Sequence, residues 1–216
     1  MRKIPTLFRR NPDQPALITR EVHPDCQWVL DGEGTPTRKL DGTCMGYFPA
    51  LHGEVRVHGA VRSDEVSEPG DLTGVWLARR EVKRGQTAPG GFVLEEADPV
   101  TGKAVGWVPA EQSPFHRYFA EALPRIGCSP YFGTYELCGP KVNGNPEHFA
   151  IHCLIRHQDA ERLKSVPRDF DGLLDWLLTS CNWEGVVWHH PDGRMAKLKV
   201  RDALAYVKAQ DEVATA

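Results

Sequence analysis

The sequence predicts an α+β fold in which strands outnumber helices. Two observations carry this. The apolar runs are short and bounded by dense turn residues, with 20 glycines and 17 prolines among 216 residues. Only Phe170 to Ser180 sustains a helical period along its whole length. A chain of this size buries one sizeable core and is short for two ordinary domains, so a single domain over residues 1–216 is expected. No internal repeat is visible.

Taken in order, strands are expected at Gln27 to Leu30, Thr37 to Lys39, Cys44 to Phe48, Glu54 to Val61, Val75 to Arg80, Gly106 to Val108, Tyr131 to Cys138, Phe149 to Ile155, Gly185 to His189 and Arg194 to Lys199. Most are apolar or β-branched runs stopped by Gly, Pro or Asp. In the main helix Phe170, Leu173, Leu174, Leu177 and Leu178 recur at i, i+3, i+4, i+7 and i+8, and Asp169 caps the first turn. A second helix is expected over Ser113 to Leu123. A third runs from about Asp202 to Gln210, opened by Asp202 and burying Leu204 and Val207. Val82 to Gly91 and Glu95 to Lys103, rich in Gly, Pro and charge, read as loops.

The formal charge of -3 supplies no global attraction to nucleic acid, so any such contact needs a local basic face. Arg79, Arg80, Lys83 and Arg84 form one candidate, Lys197 to Arg201 another; a solvated surface is the competing reading of both. No eighteen-residue apolar run occurs and Met1-Arg2-Lys3-Ile4-Pro5 leads into no signal-like stretch, so a cytosolic protein is expected. The six cysteines, Cys26, Cys44, Cys128, Cys138, Cys153 and Cys181, contain no CxxC pair and read as free thiols. A zinc site from Cys153, His148, His152, His189 and His190 ranks below ordinary core and surface roles, because no structural zinc spacing is present.

Three short motifs follow one another along the chain: Lys39-Leu40-Asp41-Gly42-Thr43, Glu184-Gly185-Val186-Val187 and Lys197-Leu198-Lys199. A lysine ahead of Asp-Gly is common by chance; the three together in this order are much less so. An amine can attack the α-phosphorus of a nucleoside triphosphate and carry the nucleotide as a phosphoramidate, but only when unprotonated. A solvated lysine has a pKa of ~10.4. Burial, together with positive charge from Lys197, Lys199 and a metal ion, would favour the free amine at Lys39 and stabilise charge on the phosphate oxygens. Asp41 and Gly42 fit a tight turn behind that lysine.

With these motifs stand Trp76-Leu77-Ala78-Arg79, Gly106-Trp107-Val108-Pro109, Tyr135-Glu136-Leu137-Cys138-Gly139, Asn143-Gly144-Asn145-Pro146, His152-Cys153-Leu154-Ile155, Trp183-Glu184-Gly185-Val186-Val187-Trp188-His189 and Asp192-Gly193. In these residues, from about 30 to 208, the chain resembles the single-domain, ATP-dependent 5′-3′ RNA ligases of the covalent nucleotidyltransferase superfamily. The resemblance implies a nucleotidyltransferase (adenylation) domain, two antiparallel sheets with flanking helices around a nucleotide cleft. It implies ATP and Mg2+ as cofactors and RNA 5′-phosphate and 3′-hydroxyl ends as partners.

Carried over by position, Lys39 would be adenylylated, and Arg79 and Lys83 would contact the ribose or the phosphate end. Glu136 would bind the ribose hydroxyls or a metal-bound water, and His152 would lie against the adenine face. Glu184 would hold magnesium, directly or through water. Lys197 and Lys199 would ground the α-phosphate, with only one expected in the pocket, Lys197 foremost, unless the strand twists or bulges. Arg38 departs from the family pattern, which favours an acidic or neutral residue before the nucleophile. No C-terminal OB-fold is expected after Lys199, and under the resemblance this favours RNA ligation over DNA ligation or capping. Two alternatives stay open: another covalent nucleotidyltransferase, or a non-catalytic nucleotide- or RNA-binding module.

Overall fold

A computed structural model describes residues 3–51, 54–57, 72–99, 101–127 and 130–214. In chain order the elements are β1 (Phe8–Arg10), β2 (Ile18–Val22), α1 (Gln27–Leu30), β3 (Thr35–Lys39), β4 (Thr43–Leu51), β5 (Glu54–Val55), β6 (Leu72–Val82), β7 (Val93–Ala97), β8 (Ala104–Pro109), α2 (His116–Ala122), β9 (Gly133–Cys138), β10 (Cys153–Arg156), α3 (Phe170–Thr179), β11 (Gly185–His189), β12 (Met195–Lys199) and α4 (Val200–Ala214). The fold is α+β, with every sheet antiparallel and few helices. The chain divides into two compact units, one over Ile4–Leu40 and Ala160–Ala216, the other over Asp41–Asp159 with Lys3.

In the Asp41–Asp159 unit the strands run in the order β10-β9-β4-β6-β8-β7, with β5 added on β4. Strand alternation sends Met45, Ala78, Val108 and Leu137 to one face, where Phe119 and Ala122 of α2 cover them. Phe48, Leu77 and Trp107 pack together in a second cluster. The expected loop from Glu95 begins inside β7. Glu95 turns inward there to accept hydrogen bonds from Arg79 and from the Trp107 indole, so a charged residue marks buried structure. β10 starts at Cys153 rather than Phe149, because the Asn145 side chain bonds both the N–H and C=O of Phe149 and holds that stretch as a turn. Of the strand expected over Glu54 to Val61, only Glu54–Val55 is formed among the described residues; residues 58–61 and Cys128 lie outside them.

The other unit holds the β1-β2 hairpin and a three-stranded sheet, β12-β11-β3. Thr6 adds a parallel bridge to Lys197, whose C=O accepts from Leu7 N at 2.8 Å. Val186, Trp188, Ala196 and Leu198 bury one face of this sheet with Phe170, Leu173, Leu174 and Leu177 of α3. Asp169 caps α3 as expected, accepting from Gly172 N at 2.8 Å.

Two expectations fail here. Gln27 to Leu30 is the helix α1: Pro24 opens a turn, His23 Nδ1 accepts from Asp25 N, and the Trp28 indole donates to Asp25 O, a geometry a strand cannot supply. In α4 the buried face carries Ala203 and Tyr206, while Leu204 and Val207 are exposed. The helix leaves β12 directly, and its phase is set by buried Asp202, which accepts from Arg10 at 2.8 Å and from Lys199 N at 3.3 Å. Among the described residues no helix is long and apolar enough to cross a membrane.

Candidate functional site

The register of the three-stranded sheet places Lys39, Gly185 and Lys199 side by side on β3, β11 and β12, and Thr37, Val187 and Lys197 two rows on, the next row of the same face. Gly185 has no side chain to stand between the two lysines, and the carboxylate of its neighbour Glu184 takes the space. Glu184 Oε2 accepts from Lys39 Nζ and Oε1 from Lys199 Nζ. The three side chains are only 13–19% exposed. Gly185 has a φ of +150°, and a Cβ there would lie 2.2 Å from Leu198 O. Gly185→Ala should therefore cost about 2–4 kcal/mol in urea unfolding, since neither strain nor backbone clash can relax cheaply.

Burial alone would push the Glu184 carboxyl upward, but the Lys39 charge and hydrogen bonds from both lysines outweigh it and hold the group below its ordinary value of 4.5. A carboxyl depressed in the folded state contributes stability that is full above its unfolded pKa and lost as pH falls through the folded one. Between pH 5 and more acid conditions, wild type should thus lose more stability than Glu184→Gln, as read by thermal midpoints across that range.

Lys197 and Lys199 are two residues apart, so strand geometry puts them on the same face, and the register agrees. The expectation that only one of them could face the pocket is corrected by that period. Lys199 makes the contact with Glu184 that the resemblance leads one to expect first of Lys197. Arg38 projects to the other face, its guanidinium 5.1 Å from the centre of the Trp183 ring and 3.9 Å from Glu161.

In the Asp41–Asp159 unit, Glu136 is 8% exposed. Its Oε1 accepts from Gly42 N at 3.1 Å, and Oε2 meets His157 Nε2 at 2.8 Å. His157 Nδ1 in turn meets Thr134 Oγ1 at 2.8 Å. Cys44, opposite Glu136 in the register, has its thiol pushed up to about 12 by burial, the Glu136 charge adding and Arg79 opposing. Glu136 and Arg79 thus act on one neighbourhood. The Asp41-Gly42 turn is braced by Glu147, which accepts from Asp41 N at 3.0 Å, and by Asn143, which donates to Gly42 O at 2.5 Å.

His152 lies elsewhere in that unit. It is buried with α2, stacked on Tyr118 at 4.6 Å, with Nδ1 2.7 Å from Glu121 and Nε2 accepting from Lys141 N. Lys83, Arg80 and Arg84 are exposed. Sequence reasoning missed His157 and Glu147, and it named Asn143 within the Asn143-Gly144-Asn145-Pro146 motif without giving it a role. Only Asn143 left a signal, the Asn-Gly pair of a turn, and it does adopt a positive φ of 47°.

Two half-buried ammonium groups on a shared carboxylate can neutralise phosphate charge and present an amine to an electrophilic phosphorus. Among the described residues no group of three His, Cys, Asp or Glu could hold a metal by protein ligands alone. Both oxygens of Glu184 are engaged by lysines, so it would fit magnesium only by giving up one of those contacts, the rest of the ion's shell being water and substrate phosphates. No curated protein matches the chain. The family model of RNA ligase 1 matches residues 131–214, from the approach to β9 through α4, and so includes Glu136, His152, Glu184, Lys197 and Lys199. This match supports the assignment of the chain to an RNA ligase family.

Proposed function

We propose that the chain is a single nucleotidyltransferase domain, an ATP-dependent RNA ligase joining 5′-phosphate and 3′-hydroxyl ends through an AMP-lysine intermediate on Lys39. The observation that supports this most strongly is the meeting of Lys39 and Lys199 on the Glu184 carboxylate across Gly185. Lys39 first gives up its ammonium proton to water, and the neutral Nζ then bonds to the α-phosphorus of ATP. The bond to the bridging oxygen breaks, pyrophosphate leaves, and the nitrogen sheds a proton to water. AMP then passes to an RNA 5′-phosphate, and a 3′-hydroxyl displaces it to seal the strand.

Lys199, with Lys197 on the same face, balances charge on the phosphate oxygens. A carboxyl held below its ordinary range is a poor proton acceptor, so Glu184 acts by charge and positioning. Magnesium, when bound, would supply Lewis-acid stabilisation of the phosphate charge, with Glu184 as its protein ligand. Glu136, oriented by His157, is assigned to the ribose or a metal-bound water, and Arg79 and Lys83 to the ribose or the phosphate end of the substrate. His152 is the weakest carry-over, because one face of its ring is covered by Tyr118 and both nitrogens are engaged. The free thiols Cys26, Cys44, Cys138 and Cys153 suit a reducing cytosol.

Incubation of the protein with magnesium, ATP or GTP, and 5′-phosphorylated RNA or nicked DNA tests the reading. Sealing of RNA with ATP alone is expected. Sealing only of DNA, or use of GTP in preference to ATP, would replace it.

A further inference from the structure

Tyr131 and Phe132, consecutive at the entrance to β9, are 70% and 42% exposed. Neither ring is loose. Phe132 stacks on Tyr47 with centroids 5.1 Å apart and planes 20° apart. Tyr47 packs on Trp76 at 5.0 Å, and Trp76 meets Phe119 of α2 edge-on at 5.3 Å. These rings form a column from the core to the surface. Gly74 makes room for it, since a Cβ there would sit 1.7 Å from Tyr47 Oη.

Beside the column, the Arg156 guanidinium lies 4.8 Å from the centre of the Tyr131 ring, at the end of the edge strand β10. Its Nε is buried without a hydrogen-bond partner among the described residues. The Tyr135 hydroxyl donates to Tyr131 O at 2.7 Å and fixes the backbone that carries the two rings.

Single exposed apolar residues need no explanation. A pair of exposed rings, pre-ordered by a ring beneath and a cation beside, differs from these. An unpaired nucleobase stacks on such a ring whatever its identity, and a neighbouring arginine adds attraction to the polyanionic backbone. Paired bases are already stacked on one another and gain nothing from it. We propose that Tyr131, Phe132 and Arg156 form a stacking platform for an unpaired nucleotide of the RNA strand. The proposal rests on the RNA ligase reading and adds a substrate contact outside the residues assigned to ATP.

The test is fluorescence anisotropy with a short labelled single-stranded RNA of mixed sequence and, separately, a blunt RNA duplex. Tyr131→Ala and Phe132→Leu should each weaken single-strand binding about tenfold, while Phe132→Trp keeps it and duplex binding changes in none. AMP transfer to the protein from ATP alone should match wild type in all three, which also reports that they fold. Unchanged single-strand affinity in Tyr131→Ala and Phe132→Leu, or an equal loss for the duplex, overturns the platform. A wild type that binds RNA this way yet never acquires AMP would instead remove the ligase reading and leave the platform standing.

Discussion

Lys39→Arg is expected to fold normally and to acquire no AMP. Arginine keeps a cation against Glu184 Oε2, so the half-buried carboxylate retains two positive partners and the thermal midpoint should move little. Its guanidinium stays protonated at any accessible pH and has no lone pair to offer phosphorus. Adduct formation and RNA sealing should both fall by at least about 10³-fold, because the intermediate itself is lost. Lys39→Ala should lose the same activity and some stability as well. Label from the α-phosphate of ATP measures the first effect and thermal melting the second. The contrast between the two variants separates the nucleophile from its charge.

Glu184→Gln is expected to cut the rate of AMP transfer about 10²- to 10³-fold and to destabilise the fold by about 2 kcal/mol. The amide preserves shape but leaves two ammonium groups with no anion between them. Fully buried pairs broken on one side cost about 3–5 kcal/mol; side chains that retain some contact with water should cost less. Single-turnover AMP transfer and urea unfolding read the two effects. Because the penalty is repulsion between Lys39 and Lys199, Lys39→Ala combined with Glu184→Gln should lose less stability than the sum of the single changes. Simple additivity would mean that the three side chains are not coupled.

The small sheet was largely legible from the chain. β11 was expected with its observed bounds, and β3 and β12 were each recognised to within two residues at their N-terminal ends. Glycine beside glutamate, with lysine at alternate positions, contains enough to bring an anion between two cations. What was misread there was parity, since residues two apart share a face. The losses elsewhere have physical causes. The four residues Gln27–Leu30, three of them apolar, are too few to show a period, so a proline-led turn decided their conformation. Glu95 looked like loop charge but is buried by Arg79 and Trp107, partners remote in sequence. The phase of α4 depends on the pairing of Asp202 with Arg10, which no local pattern reveals. His157 belongs to the same class: only the folding of β10 against β9 brings it to Glu136.

The most direct measurement is intact-mass analysis of the wild type and Lys39→Ala after incubation with ATP and magnesium, followed by peptide mapping. The account predicts one AMP per wild-type chain, carried on the Lys39 peptide, and none on the variant. A wild type that gains no AMP, or a variant that gains it undiminished, would contradict the claim that Lys39 is the nucleophile.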